Sequence, residues 1–213
     1  MLVDLKVNGK TVVVVGSGSE GYRKTCDFLQ AGAKVHVISR SFSEGIAQLG
    51  KERKICLKKE TVEDAAACVN SFDPKPDIFV AVTSNHELNA QLIKCAKDAG
   101  CLIYAPDNPA LSDFLLPAVA KVGEVQIAIS TSGKSPAMAS VLRKRIEKMI
   151  TFQDLLQIEL QDFLRGALKQ SIPDQKVRRE RLYAIIQNVD IQALLKQGKL
   201  DEAKEEALEI AEA

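Results

Sequence analysis

The chain has 213 residues, 46% hydrophobic and 27% charged, and 29 Lys and Arg against 28 Asp and Glu leave a formal charge of +1. That length holds one domain of ordinary size plus about sixty to a hundred further residues. A near-zero balance gives no field for nucleic acid or an anionic membrane, no apolar run reaches the ~18 residues of a membrane span, and the first residues lack a signal peptide's apolar core, so a cytoplasmic protein is expected.

The most informative stretch lies near the start. The run Thr11–Val15 is apolar and β-branched, as in a strand buried on both faces of a parallel sheet. It leads into Gly16-Ser17-Gly18-Ser19-Glu20-Gly21, then a helical stretch over Tyr22–Gln30, a turn, and a second strand over Lys34–Ser39. In such a strand–turn–helix–strand unit the first glycine permits the turn, the second lets backbone approach a pyrophosphate, and the third lets helix and strand pack closely. The helix start then offers free N–H groups and a positive dipole end to phosphates. The six residues of the loop are therefore candidate cofactor contacts. The acid that commonly ends the second strand and binds the ribose is replaced by Ser39, followed by Arg40 and Ser41. Taken alone, Ser39 and Arg40 favour a 2′-phosphate; a solvated Arg40 is the plainer alternative.

The alternation continues. A short third strand is expected at Ile55–Leu57 and a helix over Thr61–Val69 with Thr61 as its cap. A buried fourth strand begins at Asp77, a helix runs from about Glu87 to Ala99, and a fifth strand follows at Cys101–Tyr104. Ligands of such a sheet bind beyond the carboxyl ends of the strands. This adds Thr83 and Ser84 to the cofactor candidates and places Ala105–Asn108 at the same end. After Asp107 the pattern changes. Phe114–Val119 leads to a strand at Val125–Ser130, then a Ser-rich loop. Ser135 followed by Pro136 is a helix start, and that helix should reach about Met149. From Thr151 the chain reads as all helical, broken at Pro173. Five cysteines (Cys26, Cys56, Cys68, Cys95, Cys101) match no zinc spacing, and the two histidines, His36 and His86, form no cage with them, so no metal-ligand set is expected. His36, inside the second strand, is expected to be structural.

Three segments together carry a resemblance: Ala81–Asn89, Asp107–Ala118 and Ile127–Ala139. With Arg23-Lys24 after the glycine loop, their order and spacing resemble the precorrin-2 dehydrogenase/sirohydrochlorin ferrochelatase family, the dehydrogenase part of siroheme synthase. The Arg-rich run Val177–Leu182 in the tail is also similar. The chain departs from the family pattern where Ser17 and Ser19 interrupt the glycines and where Tyr104 replaces an Asn three residues before Asp107. The resemblance implies an α/β fold in which a Rossmann-type parallel sheet (residues 1–113) is followed by a small α+β dimerisation region (114–150) and a helical domain (151–213). It implies oxidation of precorrin-2 to sirohydrochlorin by NAD, against the local signal of Ser39 and Arg40, in a homodimer. Ferrous iron is a further substrate in members that also chelate.

The resemblance also implies Asp107 as the catalytic base; read alone, Asp107 before Asn108-Pro109 is a turn or cap residue, and Asp113 is the competing carboxylate. Asn89 and the loop residues Ser130, Thr131, Ser132, Lys134 and Ser135 are candidate substrate contacts. That loop combines hydroxyls, a glycine and a lysine at a helix N-terminus, suited to the carboxylate arms of a tetrapyrrole, although helix capping by Ser135 is the simpler role. Two other functions remain open on the sequence: a different small NAD(P)-dependent oxidoreductase, and a nucleotide-sensing regulatory module. The second usually keeps the ribose acid and needs no base.

Overall fold

The computed structural model describes residues 2–212. Contacts within the chain divide it into two compact units, Met1–Leu116 and Pro117–Ala213. In the first, strands and helices alternate: β1 (Thr11–Val15), α1 (Ser19–Gln30), β2 (Lys34–Ser39), α2 (Glu44–Lys51), β3 (Cys56–Lys59), α3 (Ala65–Asn70), β4 (Ile78–Ala81), α4 (His86–Asp98) and β5 (Leu102–Tyr104). The strands form one parallel sheet in the order β3-β2-β1-β4-β5. The order reverses between β1 and β4, so their carboxyl ends open a crevice.

The valines of β1 explain why this strand is central. Successive side chains point to opposite faces. Val13 and Val15 enter one core with Phe79, Cys68, Val69 and Leu92, beneath α3 and α4. Val12 and Val14 enter the other with Val80, Phe28 and Ile46, beneath α1 and α2. Fully burying a valine stabilises by roughly 1.5–3 kcal/mol, and a polar residue anywhere in this run would forfeit that on one face or the other. Asp77 ties the amino ends of β1 and β4 together. Its carboxylate accepts from the Thr11 amide at 2.8 Å and from Lys10 Nζ at 2.9 Å, while its own amide donates to the Thr11 carbonyl at 2.9 Å.

The second unit begins with an antiparallel hairpin, β6 (Ala118–Val122) and β7 (Val125–Ile129). Gly123, at φ +55°, occupies the first central position of its two-residue turn, where a positive φ is required. Helix α5 (Pro136–Glu147) follows and lies against β6. The helices α6 (Phe152–Ser171), α7 (Gln175–Gln187), α8 (Val189–Lys196) and α9 (Leu200–Glu212) form a bundle. Leu156, Leu160 and Leu164, four residues apart on one face of α6, pack with Ile185, Ile191, Leu195, Ala203 and Ala207. Thr151 and Asp154 close a reciprocal capping box at the start of α6. No helix of the described residues is long and apolar enough to cross a membrane.

Several boundaries differ from expectation. The helix expected from Thr61 starts at Ala65, because Asp64 caps it, accepting from the amides of Ala66 and Ala67 at 2.8 and 3.0 Å. Helix α2 gave no sequence signal: Gly45 and Gly50 lower its propensity, and it is held by burial of Ile46. Strand β3 runs from Cys56 rather than Ile55, with every residue exposed at the sheet edge. The Pro117-led segment read as a connection forms strand β6.

The ion pair and amide bond to Asp77 hold its carboxyl below the usual carboxylate range, the Lys10 bond being the larger cause. A depressed folded-state pKa contributes stability that is present above the unfolded value and is lost as pH falls through the folded one. Asp77→Asn should therefore destabilise the protein by up to about 1 kcal/mol at neutral pH, limited by solvent screening of this half-exposed pair. Denaturant titrations of the two proteins should converge as pH drops below the ordinary carboxylate range; a constant difference down to pH 2 would remove the electrostatic account.

Candidate active site

The carboxyl ends of β1, β2, β4 and β5 carry the candidate residues of the first unit. Gly16 sits at φ +116°, and a Cβ there would lie 2.5 Å from the Val82 carbonyl oxygen just past β4. A Cβ on Gly21 would overlap the Gly16 carbonyl oxygen. Both glycines are thus demanded by packing. Gly18 differs: nothing lies within 4 Å of a Cβ built on it, so its face opens to the crevice. Gly18 is also the N-cap of α1 and makes no side-chain cap bond, and the first helical bond runs from the Tyr22 amide to the Gly18 carbonyl. The helix begins at Ser19, inside the motif, leaving the amides of Ser19, Glu20 and Gly21 at its mouth. Free backbone donors beside open space are what a pyrophosphate needs, so these residues fit a dinucleotide. Glu20 would bring negative charge to the same place, but its carboxylate is paired with Arg23 at 2.7 Å.

At the end of β2, the Ser17 hydroxyl bonds the Ser39 hydroxyl at 3.1 Å and donates to the Ser41 carbonyl at 2.5 Å. Ser17 is buried and locks the glycine loop onto the residues beyond β2, a role its sequence position gave no hint of. Arg40 is exposed beside it.

At the end of β4, Asn89 corrects an expectation. Foreseen as a substrate contact, it is 5% exposed and its amide is used by Thr83. Its Oδ1 accepts from the Thr83 amide at 3.0 Å and the Thr83 hydroxyl at 2.6 Å, and its Nδ2 donates to the Thr83 carbonyl at 3.0 Å. Asn89 therefore stiffens the strand-end loop from inside. Asn85 completes the brace by capping α4 through the Leu88 amide at 3.1 Å. Ser84 and His86 are left exposed on the outer side of this loop.

At the end of β5 the two carboxylates separate by environment. Asp113 Oδ2 accepts from the Ile103 amide at 2.9 Å, its own amide donates to the Ile103 carbonyl, and its Oδ1 pairs with Lys97 at 3.2 Å. Asp113 is a cover for the edge of β5. Asp107 stands on the turn between β5 and a 3-10 turn at Pro109–Leu111, exposed and without a backbone donor. Its one ionisable neighbour among the described residues is His86, with Nδ1 3.9 Å from Asp107 Oδ2. His86, to which the sequence reading gave no role, enters the site through this pairing of adjacent strand ends.

The loop Ser130–Ser135 belongs to the second unit. Ser132 and Gly133 both have positive φ, +53° and +78°. Ser130 accepts from the Ser132 amide, Thr131 from the Ser135 amide, and Ser135 caps α5 through the Met138 amide. The hydroxyls thus shape the loop, and exposed Lys134 makes no ion pair among the described residues.

Comparison with known proteins agrees with this arrangement. A family model of NAD(P)-binding domains matches residues 3–118, and one described as sirohaem biosynthesis protein central matches residues 122–149. A precorrin-2 dehydrogenase of Methanosarcina barkeri is 33% identical over 187 residues, 86% of this chain and 81% of its own length. The chain belongs to the precorrin-2 dehydrogenase family. A siroheme synthase of Methylococcus capsulatus is 31% identical over 209 residues, 98% of this chain but 43% of the longer relative. Among solved structures, SirC, a precorrin-2 dehydrogenase, shares the fold with a TM-score of 0.77 over 98% of this chain and 99% of that one, at 20% identity.

The three glycines should separate by experiment. Gly18→Asp should abolish cofactor binding while leaving the melting temperature near wild type, because the new carboxylate has room but faces the phosphates. Gly21→Ala should lower the melting temperature itself, since its methyl meets backbone. Calorimetric titration with NAD, beside thermal melts, checks both; unchanged NAD affinity in Gly18→Asp would remove the loop from the account.

Proposed function

We propose that this chain is an NAD-dependent precorrin-2 dehydrogenase that converts precorrin-2 to sirohydrochlorin in siroheme biosynthesis. The observation that carries the reading is the pairing of an open, uncapped Gly18 mouth with a free carboxylate, Asp107, at the same end of one sheet. The reaction removes two hydrogens from the tetrapyrrole. A bound nicotinamide supplies the hydride acceptor, and the protein supplies position and a base. Asp107 is an accessible carboxylate at a strand end and takes the proton, whereas Asp113 is committed to Ile103 and Lys97. NAD rather than NADP is the oxidant in this reading, on the resemblance and against the local signal of Ser39 and Arg40. Five free cysteines suit a reducing cytoplasm.

Iron insertion into sirohydrochlorin uses the same base in this reading. Among the described residues no three His, Cys, Asp or Glu side chains group as a metal cage, so a ferrous ion entering as substrate is held by the macrocycle's nitrogens, with Asp107 receiving the pyrrole protons. Asp107→Asn should cut dehydrogenation by about 10²–10⁴-fold, the scale of a lost acid–base group, with NAD affinity retained. Assay of purified protein with precorrin-2, NAD or NADP, and then ferrous iron reads all three points. Wild-type turnover in the variant would make Asp107 a turn residue only, and full metal insertion without dehydrogenation would separate the two activities.

The second unit supports a homodimer. Its hairpin has two strands, fewer than a sheet normally needs to be stable, and Val119 on it, Met138 and Val141 on the helix that follows, and Met149 just past that helix are exposed. A second copy covering these surfaces satisfies both. Sedimentation at micromolar concentration should give a dimer, and Val119→Glu with Val141→Glu should give a monomer with melting of the first unit unchanged.

A further inference from the structure

We infer that His86 is a positioning residue for Asp107, receiving the proton that Asp107 takes from the tetrapyrrole and passing it to solvent. The inference rests on Asp107 being the base. Three observations carry it. The two side chains come from neighbouring strand ends, and Nδ1 stands 3.9 Å from Oδ2, one small side-chain rotation from a hydrogen bond. The loop that presents His86 is not free to wander: the buried Asn89 amide holds Thr83 by three bonds, and Asn85 caps the helix of which His86 is the first residue. Finally, the imidazole is 84% exposed and Asp107 is 49% exposed, so the pair grades from the site outward.

A macrocycle lying against Asp107 hides the carboxylate from water while His86 still reaches it. The balance is simple. A substrate C–H bond breaks, its electron pair leaving as hydride to the oxidised nicotinamide. A second substrate hydrogen leaves as a proton to Asp107 Oδ2. The carboxylic acid then gives that proton to the lone pair on Nδ1 of a His86 ring that carries its hydrogen on Nε2, the exposed imidazolium gives the Nδ1 proton to water, and both Asp107 and His86 are back in their starting states. Nothing else is consumed. The other histidine cannot substitute, because His36 lies within β2 with its ring edge-on to Phe72, and burial lowers its pKa.

The test uses the full chain and His86→Ala beside Asp107→Asn. The exposed position should leave melting of His86→Ala unchanged. Its kcat for precorrin-2 oxidation should fall about 10- to 100-fold, less than the loss from removing the base itself, with KM and NAD affinity at wild-type values. Added imidazole should restore turnover in His86→Ala and not in Asp107→Asn. A readout without turnover comes from imidazole ¹⁵N shifts of the cofactor-free protein. Removing the neighbouring carboxylate in Asp107→Asn should move the His86 Nδ1 signal and leave that of His36 in place. Wild-type kcat in His86→Ala while Asp107→Asn is inactive would overturn the relay and leave the base intact. Loss in His86→Ala without imidazole rescue overturns it too, as does an unchanged His86 Nδ1 signal in Asp107→Asn. Wild-type turnover in Asp107→Asn fails the base reading itself.

Discussion

The close approach of the Gly16 backbone to the end of β4 is the constraint on which the working end of this protein depends. With φ at +116° and the Val82 carbonyl only 2.5 Å from where a Cβ would be, the chain turns directly over the crevice between β1 and β4. That turn starts α1 at Ser19, so the helix delivers its unpaired amides to the crevice rather than to bulk solvent. It also brings Ser17 under Ser39 and Ser41, tying the loop to the end of β2. The turn in its turn depends on β1 being the central strand, because only there are β2 and β4 its immediate neighbours.

The site divides into rigid and free parts, and the division follows hydrogen bonding. Asn89 and Asp113 resemble functional residues by type and position, yet each satisfies backbone groups that burial or an open strand edge would otherwise leave unpaired. Asp107 and His86 satisfy none. A polar side chain with no structural obligation, held on a segment that has many, is placed to meet a ligand.

Much of this was legible in the sequence, and for identifiable reasons. The valine run, the glycine spacing and the Ser135-Pro136 helix start are local signals whose physics acts within a few residues, and each appears where expected. Strand β6 was missed although its partner β7 lies only a two-residue turn away. Helix α2 was not legible, since it is held by packing with residues distant in sequence rather than by its own propensity. The role of Asn89 was hidden for the same reason: whether an Asn faces a ligand or a neighbouring threonine depends on which side of α4 is covered. His86 could have been found only by knowing that the ends of β4 and β5 are adjacent, which is a fact of topology.

The edges of the two sheets differ in a way that bears on how copies of this chain meet. In the five-stranded sheet, β3 is an outer strand, exposed throughout, that carries Lys58 and Lys59 on its two faces, and the opposite edge at β5 is already occupied by Asp113. Charge on one side and a pre-filled ladder on the other both discourage a foreign strand. The hairpin has neither defence on β7, where Val125–Ile129 contains no charged residue. Addition of a foreign strand is thereby discouraged at the large sheet and left open at the edge of the small one.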